Sequence, residues 1–235
     1  MVVKRAHMVS RAYLQNWADQ DGRIRVLDRG VGHSLTQKIS QATVVKYAYD
    51  TDHMSADLEG QFGRIESDGI PAMRSLVAGV PINHLGRVAV VDFLDMHLER
   101  GRFADQAKRT APAVVLGLGI EPTRIEIGLG DRILISRYVD EQAIRLSTLN
   151  VTSWRWRVET IDDGLATGDG AVLLWKSASS GHLETVTFPL APTKLLVLGA
   201  DLQAPRSDLN FRIATNSRRW IVDRLEGQLA ATFPP

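Results

Sequence analysis

Apolar positions recur at three- and four-residue spacing through the middle of this chain, and at two-residue spacing after about residue 150. Leu58, Phe62, Ile65, Gly69, Met73 and Leu76 share one helical face. Pro71 is expected to kink or break that helix near Ile70, and Gly79 and Pro81 to end it. Leu85 to Arg100 predicts a second helix, with Leu85, Val88, Val91 and Leu98 on one stripe and Ala89, Phe93 and Met96 on another. So much apolar surface predicts burial between other elements. Arg102 to Leu118 reads as a third helix, interrupted at Pro112 and closed by Gly117 and Gly119. Arg124 to Ile127 reads as a short strand. Asp131 is expected to cap a further helix in which Ile135, Val139, Gln142, Leu146 and Leu149 repeat, with Glu141 and Arg145 as a favourable i,i+4 pair.

Period two then takes over. Trp154–Thr160, Ala171–Lys176, Leu183–Phe188 and Lys194–Leu198 predict strands. A last helix begins at Asp208 or Asn210 and runs towards Asn216; Arg218–Val222 either extends it or starts a terminal strand. At the other end Ser10 is a good N-cap for Arg11–Trp17, and Arg23–Asp28 alternates as a strand after the Asp21-Gly22 turn. Gly30–Ser40 reads as loop, and Gln41–Tyr49 fits either a strand or a short helix. The layout is α+β: a helical middle (about 55–150) packed on a C-terminal, mainly antiparallel sheet (about 151–235), to which the N-terminal helix and strand (1–30) could return. One domain of 235 residues is expected.

The richest stretch is Trp154 to Trp175. Trp154, Trp156, Val158 and Thr160 fall on one strand face, and Arg155, Arg157 and Glu159 on the other. Asp162-Asp163-Gly164 is a turn signal. Gly168-Asp169-Gly170 then places a carboxylate at the tip of a second turn, between two segments expected to be buried. Asp169 is either the solvated acid of a tight turn or a site residue on a loop held by rigid strands.

Composition narrows the chemistry. Hydrophobic residues make up 44% and charged residues 23%, enough for an ordinary core. The net charge of +1 argues against bulk attraction to nucleic acid or membrane. No cysteine is present, so disulfides and thiolate metal sites are excluded and a reducing compartment is permitted. The first residues lack the apolar run of a signal peptide, and no window reaches eighteen apolar residues. A cytoplasmic protein without a membrane partner is expected. No nucleophile elbow, Walker sequence or complete dinucleotide fingerprint occurs.

Several segments together resemble a known family. His7-Met8-Val9-Ser10-Arg11-Ala12-Tyr13-Leu14, Trp17-Ala18 and the Ile24–Leu27 strand are similar to the opening of the domain-of-unknown-function family numbered 4238. Leu58 with Ile65-Glu66 is similar to its acidic helix, and Phe93–Arg100 to its helix ending in Arg. Thr167–Val172, Phe188-Pro189-Leu190-Ala191-Pro192, and Asn210 with Ala214 resemble its later segments. Gly170 and Ala171 stand where the family usually has Asn and Pro, and Ser10 where it often has Pro. The resemblance implies a mainly bacterial and phage-related distribution and carries no established activity.

Six histidines are present, none at metal-ligand spacing from another. His7, Glu66 and Asp169 are the residues from which a catalytic site, with a divalent metal as possible cofactor, could assemble in space. Tyr13, Arg100 and Asn210 are the binding candidates. The bland reading of His7 is a hydrogen-bonding residue that fixes the N-terminal arm, and that of His97 a packed core residue. Arg87, Arg100, Arg102, Lys108 and Arg109, with Arg212, Arg218 and Arg219, could join Trp154, Trp156 and Trp220 in a basic surface with stacking rings, or be a solvated face balanced by acids. Two functions stay open. One is a phosphate-ester hydrolase or nuclease: His7 as acid or base, Glu66 or Asp169 as metal ligand or base, Arg100 holding a phosphate of a nucleotide or nucleic acid. The other is a non-catalytic ligand- or partner-binding protein, sensory or regulatory, that uses the same residues.

Overall fold

The computed structural model describes residues 5–54, 56–117, 120–140 and 143–227, with backbone alone at 117 and 120. It is a mixed α+β fold with antiparallel sheets. Helix α1 (Arg11–Leu14) starts where Ser10 Oγ accepts the Tyr13 N–H, and a 3-10 turn carries it on to Trp17. Around it, β1 (Ala6–His7) pairs with β4 (Val44–Val45), and β2 (Arg23–Asp28) with β3 (His33–Lys38). The strand β3 replaces the expected loop. Its side chains are almost all exposed, so it carries no apolar alternation and is held by its backbone ladder to β2.

The helical middle is a pair. Helix α2 (Leu58–Val77) is capped by Asp57, and α3 (His84–Arg102) by Asn83. Pro71 does not break α2. Its missing N–H costs one hydrogen bond, while Ile70, Ala72 and Met73 beside it are buried. Gly69 lets the two helices close: a Cβ there would lie 2.9 Å from Phe93 Cβ and 3.0 Å from the Ala89 carbonyl. On α3, Phe93 and Met96 are buried as expected, but Leu85 is exposed.

The third expected helix is a hairpin. Strand β5 (Ala111–Gly117) pairs with β6 (Ile120–Ile127), and among the described residues each pairs with no other strand. Val114-Val115-Leu116 favours extended backbone, and Pro112, opposite Glu126, sits near the start of an edge strand, where proline is tolerated. Helix α4 (Leu129–Val139) follows. Gly128, not Asp131, is its N-cap, and Asp131 is buried inside it, accepting N–H bonds from His53 and Met54. The helix does not reach Leu146. There Asp95 of α3 accepts the N–H groups of Leu146 and Ser147 (2.6 and 2.9 Å) and starts a separate 3-10 turn, Leu146–Leu149. Glu141 and Gln142 lie outside the described residues.

Two four-stranded sheets complete the fold. Strands β7 (Trp156–Thr160), β9 (Leu173–Lys176), β10 (Leu183–Ala191) and β11 (Lys194–Gly199) are ordered β7-β11-β10-β9. Both faces of β7 are half-buried rather than cleanly divided into tryptophans in and charges out. The second sheet is β3-β2-β12-β8, with β8 (Thr167–Gly168) and β12 (Trp220–Asp223). Residues 218–222 therefore lead into a terminal strand, after helix α5 (Leu209–Asn216), and the N-terminal strand β2 returns to pair with it, Ile221 opposite Leu27. One continuous buried cluster extends from Ala6 to Val222 and leaves out the β5–β6 hairpin, and α2 packs on β10 within it. Among the described residues no helix is long and apolar enough to cross a membrane.

Candidate functional site

Tyr13 sits at the centre of the core, in contact with Trp17, Phe93, His97 and Phe188; its ring stacks on Phe188 at 4.9 Å. Its hydroxyl donates to the Pro189 carbonyl and takes the Thr167 hydroxyl as second partner, both at 2.6 Å. Burial holds its ionisation well above the ordinary tyrosine value. Trp17 Nε1 donates to the Leu165 carbonyl, and Asn210 clamps the same loop, accepting the Ala166 N–H and donating to the Gly164 carbonyl. Tyr13 and Asn210 thus spend their polar atoms fixing residues 164–168.

That loop delivers Asp169, which is not at an exposed tip. It is 4% exposed. Its Oδ1 accepts the Arg218 N–H (2.9 Å), and its Oδ2 accepts those of Arg219 (2.8 Å) and Trp220 (3.2 Å). Burial pushes its carboxyl up to about 6, against the pull of these three backbone donors. Its own carbonyl lies against α3, where a Cβ on Gly101 would come within 2.0 Å of it. One turn earlier on α3, His97 Nε2 donates to the Gly168 carbonyl at 2.8 Å. Full burial drops His97 to about 4, so it is a neutral, packed histidine.

His7, Glu66 and Arg100 do come together, on another side of α3. Arg100 is 3% exposed, lies 4.3 Å over the Phe62 ring and 5.2 Å over that of Tyr49, and donates to Glu66 Oε1 at 2.6 Å. His7 is half-buried and donates through Nδ1 to the Ala42 carbonyl, which fixes its tautomer and the N-terminal arm. Burial lowers its pKa; Glu66 pulls it up while Arg11 and Arg100 push it down. Glu59, which the sequence did not single out, joins them. Burial raises its carboxyl, helped by Glu66 and Asp57. Two buried atoms of this cluster, Arg100 Nε and Glu59 Oε2, have no hydrogen-bond partner. Asp169 is held instead by the backbone of residues 218–220, and among the described residues no three His, Cys, Asp or Glu side chains could hold a metal ion.

The expected basic surface is dispersed. Arg100 is buried, Arg87 lies 5.3 Å over the Trp156 ring, and Arg219 pairs with Asp28 and stacks on the buried Trp220. Arg102 pairs with Asp140 and Arg218 with Asp105. The acids that balance these cations are too far along the chain for a local pattern to reveal.

Accessible space lies beside Asp169, apart from a groove of about 850 Å³ between α2 and α3. A cleft of about 380 Å³ is bounded by Gly101, Arg102, Asp140, Asp169, Asn216 and Arg218. It shares Leu98, Leu174 and Asn216 with a second cleft of about 550 Å³ between β9 and α5, lined by Trp175, Phe211, Arg212 and Thr215. Arg212 lies 4.8 Å over the Trp175 ring, whose Nε1 donates to Thr187. Trp175 ended the stretch that stood out in the sequence; nothing local marked Phe211 or Arg212 as its neighbours.

Residues 5–116 match the model of a family described as a protein of unknown function (DUF4238), and the chain resembles that family over this stretch. The match includes His7, Tyr13, Glu66 and Arg100, and stops short of Asp169 and Asn210. No curated protein and no solved structure gives a significant match.

Proposed function

We propose that the chain is a non-catalytic recognition protein, and that its ligand lies in the joined cleft running from Arg218 to Trp175. The carrying observation is the make-up of that cleft. One end offers the Trp175 ring with Arg212 stacked on it and Phe211 nearby, and the other the guanidinium groups of Arg102 and Arg218. A ring wall beside arginines suits a planar ligand with an anionic group, and a nucleotide is the class that fits. Asp169, with its oxygens taken by Arg218, Arg219 and Trp220, shapes the cleft rather than reacting in it.

The second reading, a phosphate-ester hydrolase or nuclease, has one observation in its favour: His7, Glu66 and Arg100 cluster beside two unpartnered buried atoms. It is disfavoured by the burial of Arg100, whose side chain is 4% exposed and held by Glu66 at 2.6 Å; Arg102 and Arg218 also have acid partners, at 3.2 and 3.6 Å, but stay 27% and 47% exposed. A thermal melt with a nucleoside monophosphate, in EDTA and then with Mg²⁺ or Mn²⁺, separates the two. The recognition reading expects a rise of several degrees near saturation, without metal, that Trp175→Ala and Arg218→Ala abolish and His7→Ala leaves intact. Metal-dependent cleavage of a phosphodiester that is lost in His7→Ala would replace it with the hydrolase reading, and no shift in any condition would remove the nucleotide site.

A further inference from the structure

The β5–β6 hairpin stands apart from both larger sheets and has two unlike edges. Strand β6 carries Glu121, Pro122, Arg124 and Glu126, the charges and proline that keep an edge from pairing. Strand β5, APAVVLG, carries no charge. Its Val114, Val115 and Leu116 are 55%, 51% and 77% exposed. An isolated two-stranded ribbon is marginal in water, and three consecutive exposed apolar residues on its edge add to that cost.

The register shows which backbone groups are open. Pro112 lies opposite Glu126, and a proline inside an antiparallel pair turns its missing donor away from the partner strand. The Glu126 carbonyl supports this orientation, since it takes a bond from His53 Nε2 at 3.2 Å, outside the hairpin. Val114 and Leu116 share the parity of Pro112, so their N–H and C=O groups face the open edge of β5. The register shift between Val115 and Gly117 puts its extra residue on β6, so β5 stays regular.

We propose that this edge pairs with the same edge of a second copy of the chain, making a four-stranded sheet ordered β6-β5-β5-β6. The charge pattern selects that occupant. A charged strand would have to strip its side chains of water against Val114 and Leu116, whereas a second β5 brings no charge. A two-fold axis at Val115 sets Val114 opposite Leu116 of the second copy, twice, and Val115 opposite itself. The two Arg124 side chains fall on the outer strands, separated by both inner ones. The dimer is independent of the cleft beside Asp169.

The test uses the absence of cysteine. Val115 would face its copy in a non-hydrogen-bonded pair, with Cα atoms about 4.5 Å apart, within the reach of a disulfide. Under mild oxidation V115C should form a covalent dimer, while Y138C, on the exposed C-terminal end of α4, should not. In sedimentation velocity the unmodified protein should approach twice its monomer mass as concentration rises. V115K, which places two lysines opposite each other, should lose that rise while keeping the native circular dichroism spectrum and melting cooperativity. A monomer at every concentration overturns the proposal. So does a dimer that V115K leaves intact, or one that V115C fails to cross-link, since the contact would then lie elsewhere.

Discussion

Glu66 and Asp169 were candidates for the same chemical task, and the fold gives them opposite surroundings. Glu66 keeps a partly open side chain and holds one buried guanidinium, that of Arg100. Asp169 is closed off and held by three backbone N–H groups. Glu66 is an ion pair whose loss strands a charge. Asp169 is a structural knot that ties the 167–170 loop to the chain entering β12. Asp169 is the more buried of the two, yet it has the fewer unused lone pairs.

That contrast can be broken most sharply at Glu66. In Glu66→Ala the Arg100 guanidinium, buried over Phe62 and Tyr49, loses its counter-ion, and unfolding in denaturant should show a loss of about 3 kcal/mol. A loss near zero would mean that Arg100 is paired by Glu59 instead.

A comparable effect is expected from pH, with two signs. His97 is lowered from 6.5 to about 4, so its contribution is complete above pH 6.5 and is lost as pH falls through about 4, amounting to about 3 kcal/mol. Asp169 is raised from 3.8 to about 6, so its contribution is complete below pH 3.8 and is lost as pH rises through about 6, again about 3 kcal/mol. Between pH 4 and 6 these two contributions oppose each other in the unmodified protein. His97→Leu should become less stable as pH rises through that window, and Asp169→Asn more stable. Parallel slopes in the two variants would contradict the assignment.

The smallest effect distinguishes a tie from a site. Tyr13→Phe keeps the ring stack on Phe188 but leaves the Thr167 hydroxyl and Pro189 carbonyl short of a partner, at a cost of about 1 kcal/mol, with ligand-induced shifts in melting unchanged.

What the sequence made legible was what neighbours in sequence decide. The Ser10 cap, the buried stripe of α3, and the strands β10 and β11 follow from short-range periodicity and hydrogen-bonding residues. Several local signals misled, two of them for plain reasons. Val114-Val115-Leu116 has no polar alternation and reads as well in a helix as in an edge strand, and Pro71 is a breaker that the packing of Gly69 against α3 overrides. The surroundings of the candidate site residues were hidden for another reason. The donors to Asp169 come from about fifty residues later in the chain, and Glu66 and Arg100 are joined across two helices. The resemblance nevertheless drew out the residues that matter to the architecture: Tyr13, Glu66, Arg100, Asp169 and Asn210 each make a long-range tie.

The pairing of β2 with β12 also has a consequence in time. During synthesis the first strand of that ladder emerges almost two hundred residues before its partner. Until Arg218, Arg219 and Trp220 leave the ribosome, Asp169 lacks its three backbone donors, although Tyr13, Trp17, His97 and Asn210 can already hold residues 164–168. The nascent chain can assemble α2, α3 and the β9–β10–β11 ladder early, but the β2–β12 ladder and the ties to Asp169 wait for residues 218–223. A chain truncated just before Arg218 would be expected to bind chaperones rather than to lose a strand quietly.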